Sequence, residues 1–379
     1  MFEYQKSRRY FAQVGGGIEE LAVDELSELG ATSLTMAYRG IYFEAALSTI
    51  FRINYCSRLI TRVLAPLAEF PCHSTKYLYS QARQIPWEDL LSPEHTFAIF
   101  SSVSHSKIKH SQYAGLKLKD AIVDYFRDKY GRRPSVDKLN PSLWINIHIE
   151  NNYATISLDT SGGSLHRRGY RQKAAVAPMQ ETVAAALIRM TGWDGTRAIY
   201  DPFCGSGTLL AEALMVYCHI PAGFLRKRFG FEYLPDFERS EWALVKEEAD
   251  GHIRKLPAGH IVGSDISGPA VGAAKANLGM LPYGKNVELK VSDFRKVKPQ
   301  QNTVLLANPP YGIRLGDKKN LQTLYKDLGD VLKQHWKGSE AYIYFGERDF
   351  ISKIGLRTSW KKPLNNGGLD GRLARFDLY

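Results

Sequence analysis

The motif with the clearest chemical meaning is Asn308-Pro309-Pro310-Tyr311, which directly follows the apolar stretch Leu305–Ala307. The two prolines fix φ and make the loop stiff. The side-chain carbonyl of Asn308 and the backbone carbonyl of Pro309 can then converge on one point, and two acceptors match the two hydrogens of an exocyclic –NH₂ group. Tyr311 offers a ring face on which a base can stack. We therefore predict that Asn308, Pro309, Pro310 and Tyr311 act directly in chemistry on a base amine.

A glycine-rich loop and two acidic residues precede this motif. The loop, Asp201-Pro202-Phe203-Cys204-Gly205-Ser206-Gly207-Thr208, separates an apolar strand from a helix, and its glycines allow close approach of a ligand. It has neither the lysine of a Walker loop nor the third glycine of a nicotinamide-binding loop. Two later strands end in acids: Asp265 can accept ribose hydroxyls and Asp293 an adenine amine. The structural alternatives are a glycine-rich tight turn for the loop and a helix N-cap for Asp265. The predicted adenosyl site comprises Asp201, Phe203, Gly205, Gly207, Thr208, Asp265, Ile266, Asp293, Phe294 and Asn308.

These motifs need a parallel sheet to bring them together. From about residue 175 onward, candidate strands alternate with helices, which is typical of a mostly parallel sheet covered on both faces. The candidate strands span residues 198–200, 261–264, 287–291, 303–307 and 341–345. Because the carboxyl ends of parallel strands meet at one edge, the glycine loop, the acids and the Asn-Pro-Pro-Tyr motif should share that edge. Residues 1–160 have a different mixture of α and β patterns, including a predicted helix, Tyr113–Tyr130, that is ended by Gly131.

The positive charge of the chain is distributed unevenly. Residues 161–379 carry 32 Lys and Arg against 22 Asp and Glu, and so hold nearly all of the net +11. Residues 166–173, HRRGYRQK, place four of these cations beside an aromatic ring, which suits RNA phosphates and a stacked base. A generic basic surface would have the same composition. The predicted RNA contacts are Arg167, Arg168, Tyr170, Arg171 and Lys173.

Composition narrows the class of protein further. The 379 residues, 44% of them hydrophobic, are enough for more than one domain. No apolar run has the roughly 20 residues of a membrane helix, and the first residues lack the apolar core of a secretory signal, so we expect no membrane partner. The four cysteines and ten histidines have no metal-ligand spacing, so we expect no metal and a cytoplasmic location. We expect Cys204 to be structural.

The motifs resemble those of the S-adenosylmethionine-dependent amino-methyltransferases. Residues 157–188, SLDTSGGSLHRRGYRQKAAVAPMQETVAAALI, and residues 365–376, NNGGLDGRLARF, extend the similarity to the THUMP-containing RNA methyltransferases. The resemblance implies an α/β fold, in which a small α+β ferredoxin-like and THUMP module precedes a Rossmann-like class I methyltransferase domain with a mostly parallel sheet and an antiparallel C-terminal hairpin. The implied domains are a ferredoxin-like subdomain (1–60), a THUMP RNA-binding domain (61–160), a basic linker (161–174) and a methyltransferase domain (175–379) with an insertion at about 218–258.

The resemblance also implies a reaction. S-adenosylmethionine would donate a methyl group to an exocyclic amine, and the similar enzymes point to guanine N2 in large-subunit (23S) ribosomal RNA. The Asn-Pro-Pro-Tyr motif by itself suits adenine N6 and cytosine N4 equally. Two alternatives stay open: a DNA adenine-N6 methyltransferase, which would use the same amine site, and a non-catalytic RNA-binding protein with a methyltransferase fold.

Overall fold

The computed structural model describes residues 1–172, 179–297, 302–311, 318–366 and 369–379. These residues form two compact units, and the chain passes between them several times. The N-terminal unit contains residues 1–14, 23–165 and 226–247, and the C-terminal unit contains residues 15–22, 166–225 and 248–379. Among the described helices, none combines the length and the hydropathy needed to cross a membrane.

The described strands of the N-terminal unit form one mixed sheet. The strands are β1 (Arg9–Val14), β2 (Thr32–Ala37), β3 (Gly40–Glu44), β4 (Ile60–Pro71), β5 (Thr96–Ser104), β6 (Ser135–Val136), β7 (Leu143–Glu150) and β8 (Tyr153–Asp159). The helices of this part of the chain are α1 (Glu3–Ser7), α2 (Glu19–Glu28), α3 (Leu47–Cys56), α4 (Thr75–Ala82) and α5 (Ser111–Tyr130). The strand order is β2-β3-β1-β4-β8-β7-β5-β6, with β5 parallel to β6 and β7 and the other neighbours antiparallel.

Local sequence explains these elements. In β7, Ile145, Ile147 and Ile149 alternate with more polar residues, and all three isoleucines are fully buried. Helix α5 ends at Tyr130, as predicted from the glycine that follows it. Gly131 takes φ +67°, a conformation that L side chains rarely adopt.

The C-terminal unit is built on a second sheet. Its strands are β9 (Ala198–Asp201), β10 (Ile261–Asp265), β11 (Glu288–Val291), β12 (Thr303–Ala307), β13 (Glu340–Phe345), β14 (Trp360–Asn366) and β15 (Leu369–Asp377). The other α-helices of the described residues are α6 (Glu181–Thr191), α7 (Thr208–Tyr217), α8 (Arg239–Gly251), α9 (Gly268–Leu278) and α10 (Lys318–His335). Strands β9 to β13 are parallel, and β14 and β15 form an antiparallel C-terminal hairpin, which confirms the predicted Rossmann-like fold class.

The strand order β11-β10-β9-β12-β13-β15-β14 creates a crevice. The chain runs outward from β9 to β10 and β11, and then returns to place β12 on the other side of β9. Ligands of open α/β sheets bind at such a reversal, beyond the carboxyl ends of the strands. Here Asp201 ends β9, Asp265 ends β10, and Asn308 directly follows β12.

The segment predicted as an insertion in the methyltransferase domain, about residues 218–258, is divided between the two units. Its residues 226–247 belong to the N-terminal unit. Gly230 lies against the backbone of Asp159, since a Cβ at Gly230 would be 1.9 Å from the Asp159 carbonyl oxygen. Phe231 packs its ring 4.6 Å from that of Phe51 and 5.1 Å from that of Trp242. Apolar burial therefore explains why this segment packs with the N-terminal unit.

Candidate active site

A cavity of about 580 Å³ lies at the carboxyl ends of the parallel strands in the C-terminal unit. Every residue predicted for the adenosyl and amine sites lines it except Gly207. Sequence reasoning missed several other lining residues, among them Met179, Ser206, Leu209, Arg295 and Leu324. Of these, Ser206 and Leu209 lie in or beside the glycine-rich motif, Arg295 directly follows Phe294, and Met179 lies within the motif 157–188, whereas Leu324 has no motif that could have identified it.

The glycine-rich loop adopts a conformation that requires its glycines. Gly205 has φ +52° and Gly207 has φ +82°, both in the left-handed region. A Cβ at Gly207 would lie 3.0 Å from the Cβ of Ala274, so this glycine lets the start of α7 pack closely against α9. Gly207 is therefore a packing residue of the loop, which explains its absence from the cavity wall.

The Asp265 carboxylate is held in place by backbone amides. Gly205 N donates to its Oδ2 and Ser267 N to its Oδ1, each over 2.9 Å. Each carboxylate oxygen can accept more than one hydrogen bond, so acceptor capacity remains for ligand hydroxyls. The neighbouring Ile266 is 71% exposed and lines the cavity, which provides apolar surface for a planar ring.

Asp201 is a buried acid on the same cavity. Burial raises its pKa to about 8, with a further contribution from the Asp265 carboxylate, whereas a hydrogen bond from Phe203 N over 2.9 Å acts in the opposite direction. A cation placed beside Asp201 would favour its ionised form. Binding of a cation here would therefore be coupled to loss of a proton from Asp201.

Asp293 and Phe294 form the wall beside β11. Asp293 Oδ2 pairs with Arg295 Nη1 at 2.8 Å, and Arg295 also pairs with Asp327 at 2.8 Å. The ring of Phe294 lies 5.1 Å from that of Phe203, and the Arg295 guanidinium lies 4.8 Å from the Phe294 ring centroid. Arg295 thus orients the acid that the sequence assigned to the adenine amine.

The Asn-Pro-Pro-Tyr loop combines an open acceptor with a fixed ring. Within the described residues, Asn308 Oδ1 is buried and has no hydrogen-bond partner. The carbonyl of Pro310 accepts a hydrogen bond from Tyr325 OH over 3.2 Å. The ring of Tyr311 lies directly over Gly346, where a Cβ would be 2.4 Å from Tyr311 Cδ2. A buried orphan acceptor is rare in native proteins and points to a donor that arrives with a ligand.

Cys204 has the properties of a structural residue. Its side chain is buried, and burial together with the Asp201 and Asp265 carboxylates raises the pKa of the thiol. Because the thiolate is the reactive form, this environment makes Cys204 a poor nucleophile.

The structure corrects two of the predicted RNA contacts, Arg168 and Tyr170. Each is 1% exposed, and both approach Glu212 Oε1, Arg168 with its Nε at 3.4 Å and Tyr170 with its hydroxyl at 3.3 Å. A buried carboxylate is stable only with such partners, so the side chains of Arg168 and Tyr170 stabilise Glu212 in the protein interior. Arg171 is half-buried and ion-paired, Arg167 is exposed, and Lys173 lies outside the described residues.

Family models match most of the chain. The RMKL-like methyltransferase domain matches residues 168–375, the THUMP domain residues 72–159 and the RlmL ferredoxin-like domain residues 9–64. The protein slr0064 of Synechocystis sp., which has a provisional RNA methyltransferase name, is 39% identical over 98% of this chain and 97% of its own length.

Two further comparisons agree with these matches. The ribosomal RNA large subunit methyltransferase K/L of Syntrophotalea carbinolica is 37% identical over 98% of this chain but only 53% of its own length, so the chain spans about half of such relatives. SMU.472, a provisionally assigned methyltransferase crystallised with S-adenosylhomocysteine (SAH), superposes with a TM-score of 0.86 at 30% identity over 98% of both chains. The chain therefore belongs to the family of RMKL-like methyltransferases, joined to THUMP and RlmL ferredoxin-like domains.

Proposed function

We propose that this protein transfers a methyl group from S-adenosylmethionine to an exocyclic amine of an RNA base, and that the base is a guanine, at N2, in large-subunit ribosomal RNA. The observation that carries the proposal is that one cavity gathers the glycine-rich loop, Asp265 and the Asn-Pro-Pro-Tyr loop. The names of the K/L relatives support the RNA class, and so does the THUMP match. This substrate implies a cytoplasmic location.

The residues around the cavity fit S-adenosylmethionine. A volume of about 580 Å³ lies within the range of small-ligand sites. Asp265 would accept the ribose hydroxyls, Ile266 and Phe294 would contact the adenine ring, and Asp293 would accept its amine. A cation beside Asp201 would favour the ionised carboxylate, which burial opposes in the free protein. When bound, the cofactor would supply a methyl carbon made electrophilic by its sulfonium. Transfer would break the S–CH3 bond and form the N–CH3 bond, with SAH as the leaving group and one amine proton released to water.

The protein must then make the base amine a better nucleophile, because its lone pair is delocalised into the ring. Asn308 Oδ1 and the Pro309 carbonyl would each accept one amine hydrogen, which favours a localised lone pair. These hydrogen bonds strengthen as positive charge develops on the amine nitrogen, so they stabilise the transition state more than the ground state. The rigid Pro309-Pro310 pair fixes the acceptors before the base arrives.

Tyr311 would hold the base that carries this amine. One face of its ring is occupied by the backbone of Gly346, so stacking would use the opposite face. Its hydroxyl lies 3.5 Å from Asn366 Nδ2, in the residues that the sequence placed in the C-terminal motif. A stacked base must first leave its helix or loop, so the target guanine has to be reachable in the RNA.

We assign RNA binding by the basic segment, residues 166–173, to Arg167. Among the described arginines of this segment, Arg167 is the exposed one. Each phosphate contact contributes about 0.7 to 0.9 to the slope of log K against log salt. Arg167→Ala should therefore flatten this slope by about one unit for an RNA fragment. An unchanged slope would place the phosphate path on other residues.

The test of the proposal is methyl transfer from labelled S-adenosylmethionine to transcripts that tile large-subunit ribosomal RNA, followed by nucleoside mass spectrometry. Duplex DNA and assembled large subunits serve as comparison substrates, and Asn308→Ala serves as the inactive control. We expect N2-methylguanosine in naked or partly assembled RNA. N6-methyladenosine, or label in duplex DNA alone, would support the DNA adenine-N6 alternative. SAH binding without any transfer would support the non-catalytic one.

A further inference from the structure

The segment Arg168–Gln172, here called the strap, packs against the elements that carry the cofactor cavity. Arg168 and Tyr170 attach it to Glu212 of α7, and all three side chains are at most 1% exposed. The backbone N–H of Gln172 donates to Asn277 Oδ1 of α9 over 2.8 Å. The strap therefore contacts both helices that meet behind the glycine-rich loop.

Arg171 connects the strap directly to that loop. Its Nη2 donates to Thr208 Oγ1 at 3.2 Å and to the Met179 carbonyl at 3.3 Å, and its Nη1 lies 3.4 Å from Ser206 Oγ. Glu181 accepts from both Nε and Nη2, at 3.1 and 2.8 Å. The guanidinium is thus bound by acceptors from the loop, from Glu181 at the start of α6, and from Met179, two residues before α6.

A second connection supports the same loop from the other side. Asn277 is fully buried, and its Nδ2 donates to the Ser206 carbonyl over 3.0 Å. Ser206 is consequently held through its hydroxyl by Arg171 and through its carbonyl by Asn277. This matters because Gly205 and Gly207, on either side of Ser206, have no side chains with which to fix the loop.

We infer that Arg171 is a positioning residue for the cofactor loop and not an RNA contact. Its charge is compensated by Glu181, and several of its donors are already used within the protein. The planar fork of arginine can serve these separated acceptors at once, whereas the single ammonium of lysine cannot. A loop fixed in advance binds its ligand without a further loss of conformational freedom. This inference rests on the proposed use of S-adenosylmethionine.

The test compares SAH affinity by calorimetry in Arg171→Met, Arg171→Lys and wild-type protein. The matched control is Arg197→Met, which removes another partly buried arginine of the same unit, one that pairs with Glu340 over 2.8 Å at the start of β13. We expect Arg171→Met to weaken SAH binding by about tenfold to a hundredfold, the effect of losing one or two charge-assisted hydrogen bonds. Arg171→Lys should recover only part of this loss, and Arg197→Met should bind SAH like wild type.

Two further readouts separate positioning from other roles. In ligand-free protein, amide hydrogen exchange at Gly205–Thr208 should be faster in Arg171→Met than in Arg197→Met, because the loop has lost its support. The salt dependence of RNA binding should stay unchanged in Arg171→Met. If Arg171→Met does not fold, Arg171→Lys and Glu181→Gln carry the same comparison.

The outcomes are distinguishable. SAH affinity within twofold of wild type, with a flatter salt dependence of RNA binding, would overturn the inference and make Arg171 an RNA contact. Equal losses in Arg171→Met and Arg197→Met would also overturn it, since they would reflect general destabilisation. A wild-type protein that does not bind SAH would instead refute the proposed function.

Discussion

Replacing Asn308 by alanine should separate stability from catalysis. Asn308 Oδ1 is buried without a partner in the described residues, and such an unsatisfied acceptor costs about 1–3 kcal/mol of folding free energy. Alanine removes that cost along with some packing, so we expect the free energy of unfolding to be unchanged or higher by up to about 2 kcal/mol. Turnover should fall about 10²- to 10³-fold, as when one preorganised oxyanion donor is lost.

The matched control is Asn54, a buried asparagine that is fully partnered. Its Nδ2 donates to the Ile50 carbonyl at 2.9 Å and to Thr160 Oγ1 at 3.0 Å, and its Oδ1 accepts from Ser161 Oγ at 2.6 Å. Asn54→Ala should lower the free energy of unfolding by about 1–3 kcal/mol, because the hydrogen-bonding partners of Asn54 stay buried and unsatisfied. Urea unfolding of the ligand-free proteins measures the free energy of unfolding. Calorimetry measures the SAH affinity, and single-turnover methylation measures the rate of methyl transfer.

Two results would refute this reasoning. Equal destabilisation by Asn308→Ala and Asn54→Ala would mean that the Asn308 oxygen already has an effective partner in the free protein. Near-normal turnover in Asn308→Ala would refute the amine-acceptor role and leave the Pro-Pro loop as a structural turn.

Four more predictions concern the cofactor side of the cavity. Asp265→Ala should weaken S-adenosylmethionine binding by about 1.5–3 kcal/mol, as measured by calorimetry. An unchanged affinity would mean that Asp265 only accepts hydrogen bonds from the backbone amides and does not bind the cofactor. Burial raises the pKa of Asp201 to about 8 in the folded protein, against about 3.9 for an ordinary aspartate, so the folded state binds more protons between these values. Stability of the ligand-free protein should therefore fall as pH rises from 4 to 8, and Asp201→Asn should remove this fall in chemical unfolding. S-adenosylmethionine, as a cation, should bind wild type more tightly as pH rises towards 8, and a flat profile would contradict that. Cys204→Ala should keep turnover within a fewfold of wild type, since the raised pKa of its thiol disfavours nucleophilic attack, and loss of all turnover would make it catalytic.

The sequence predicted the elements of the C-terminal unit well, because buried parallel strands are short apolar runs with polar residues at their ends. The predicted strand 303–307 matches β12, Thr303–Ala307, and the other predicted strands agree with β9, β10, β11 and β13 to within one residue at each end. Since strand ends meet at one edge, the cavity residues could be named before their distances were known. Their roles towards cofactor and base remain predictions.

The basic cluster shows where sequence reasoning failed. Side chains with the same charge occur at Arg167 and Arg168, but one is exposed and the other is 1% exposed. The difference depends on Glu212, a fully buried acid 44 residues further along the chain. No local pattern indicates that a distant helix will present a carboxylate that needs a cation.

The sequence alone therefore determined the class of fold, the order of the motifs and the chemistry that their residue types permit. These properties follow from local periodicity and from residues whose backbone or side-chain chemistry is distinctive, such as glycine, proline and a strand-end acid. Tertiary structure decided which cations are buried, that Asp327 pairs with Arg295 beside Asp293, and that residues 226–247 pack with the N-terminal unit. Those outcomes depend on pairing between residues far apart in the chain, where the free energy of a buried charge or ring is set by whichever partner the fold brings to it.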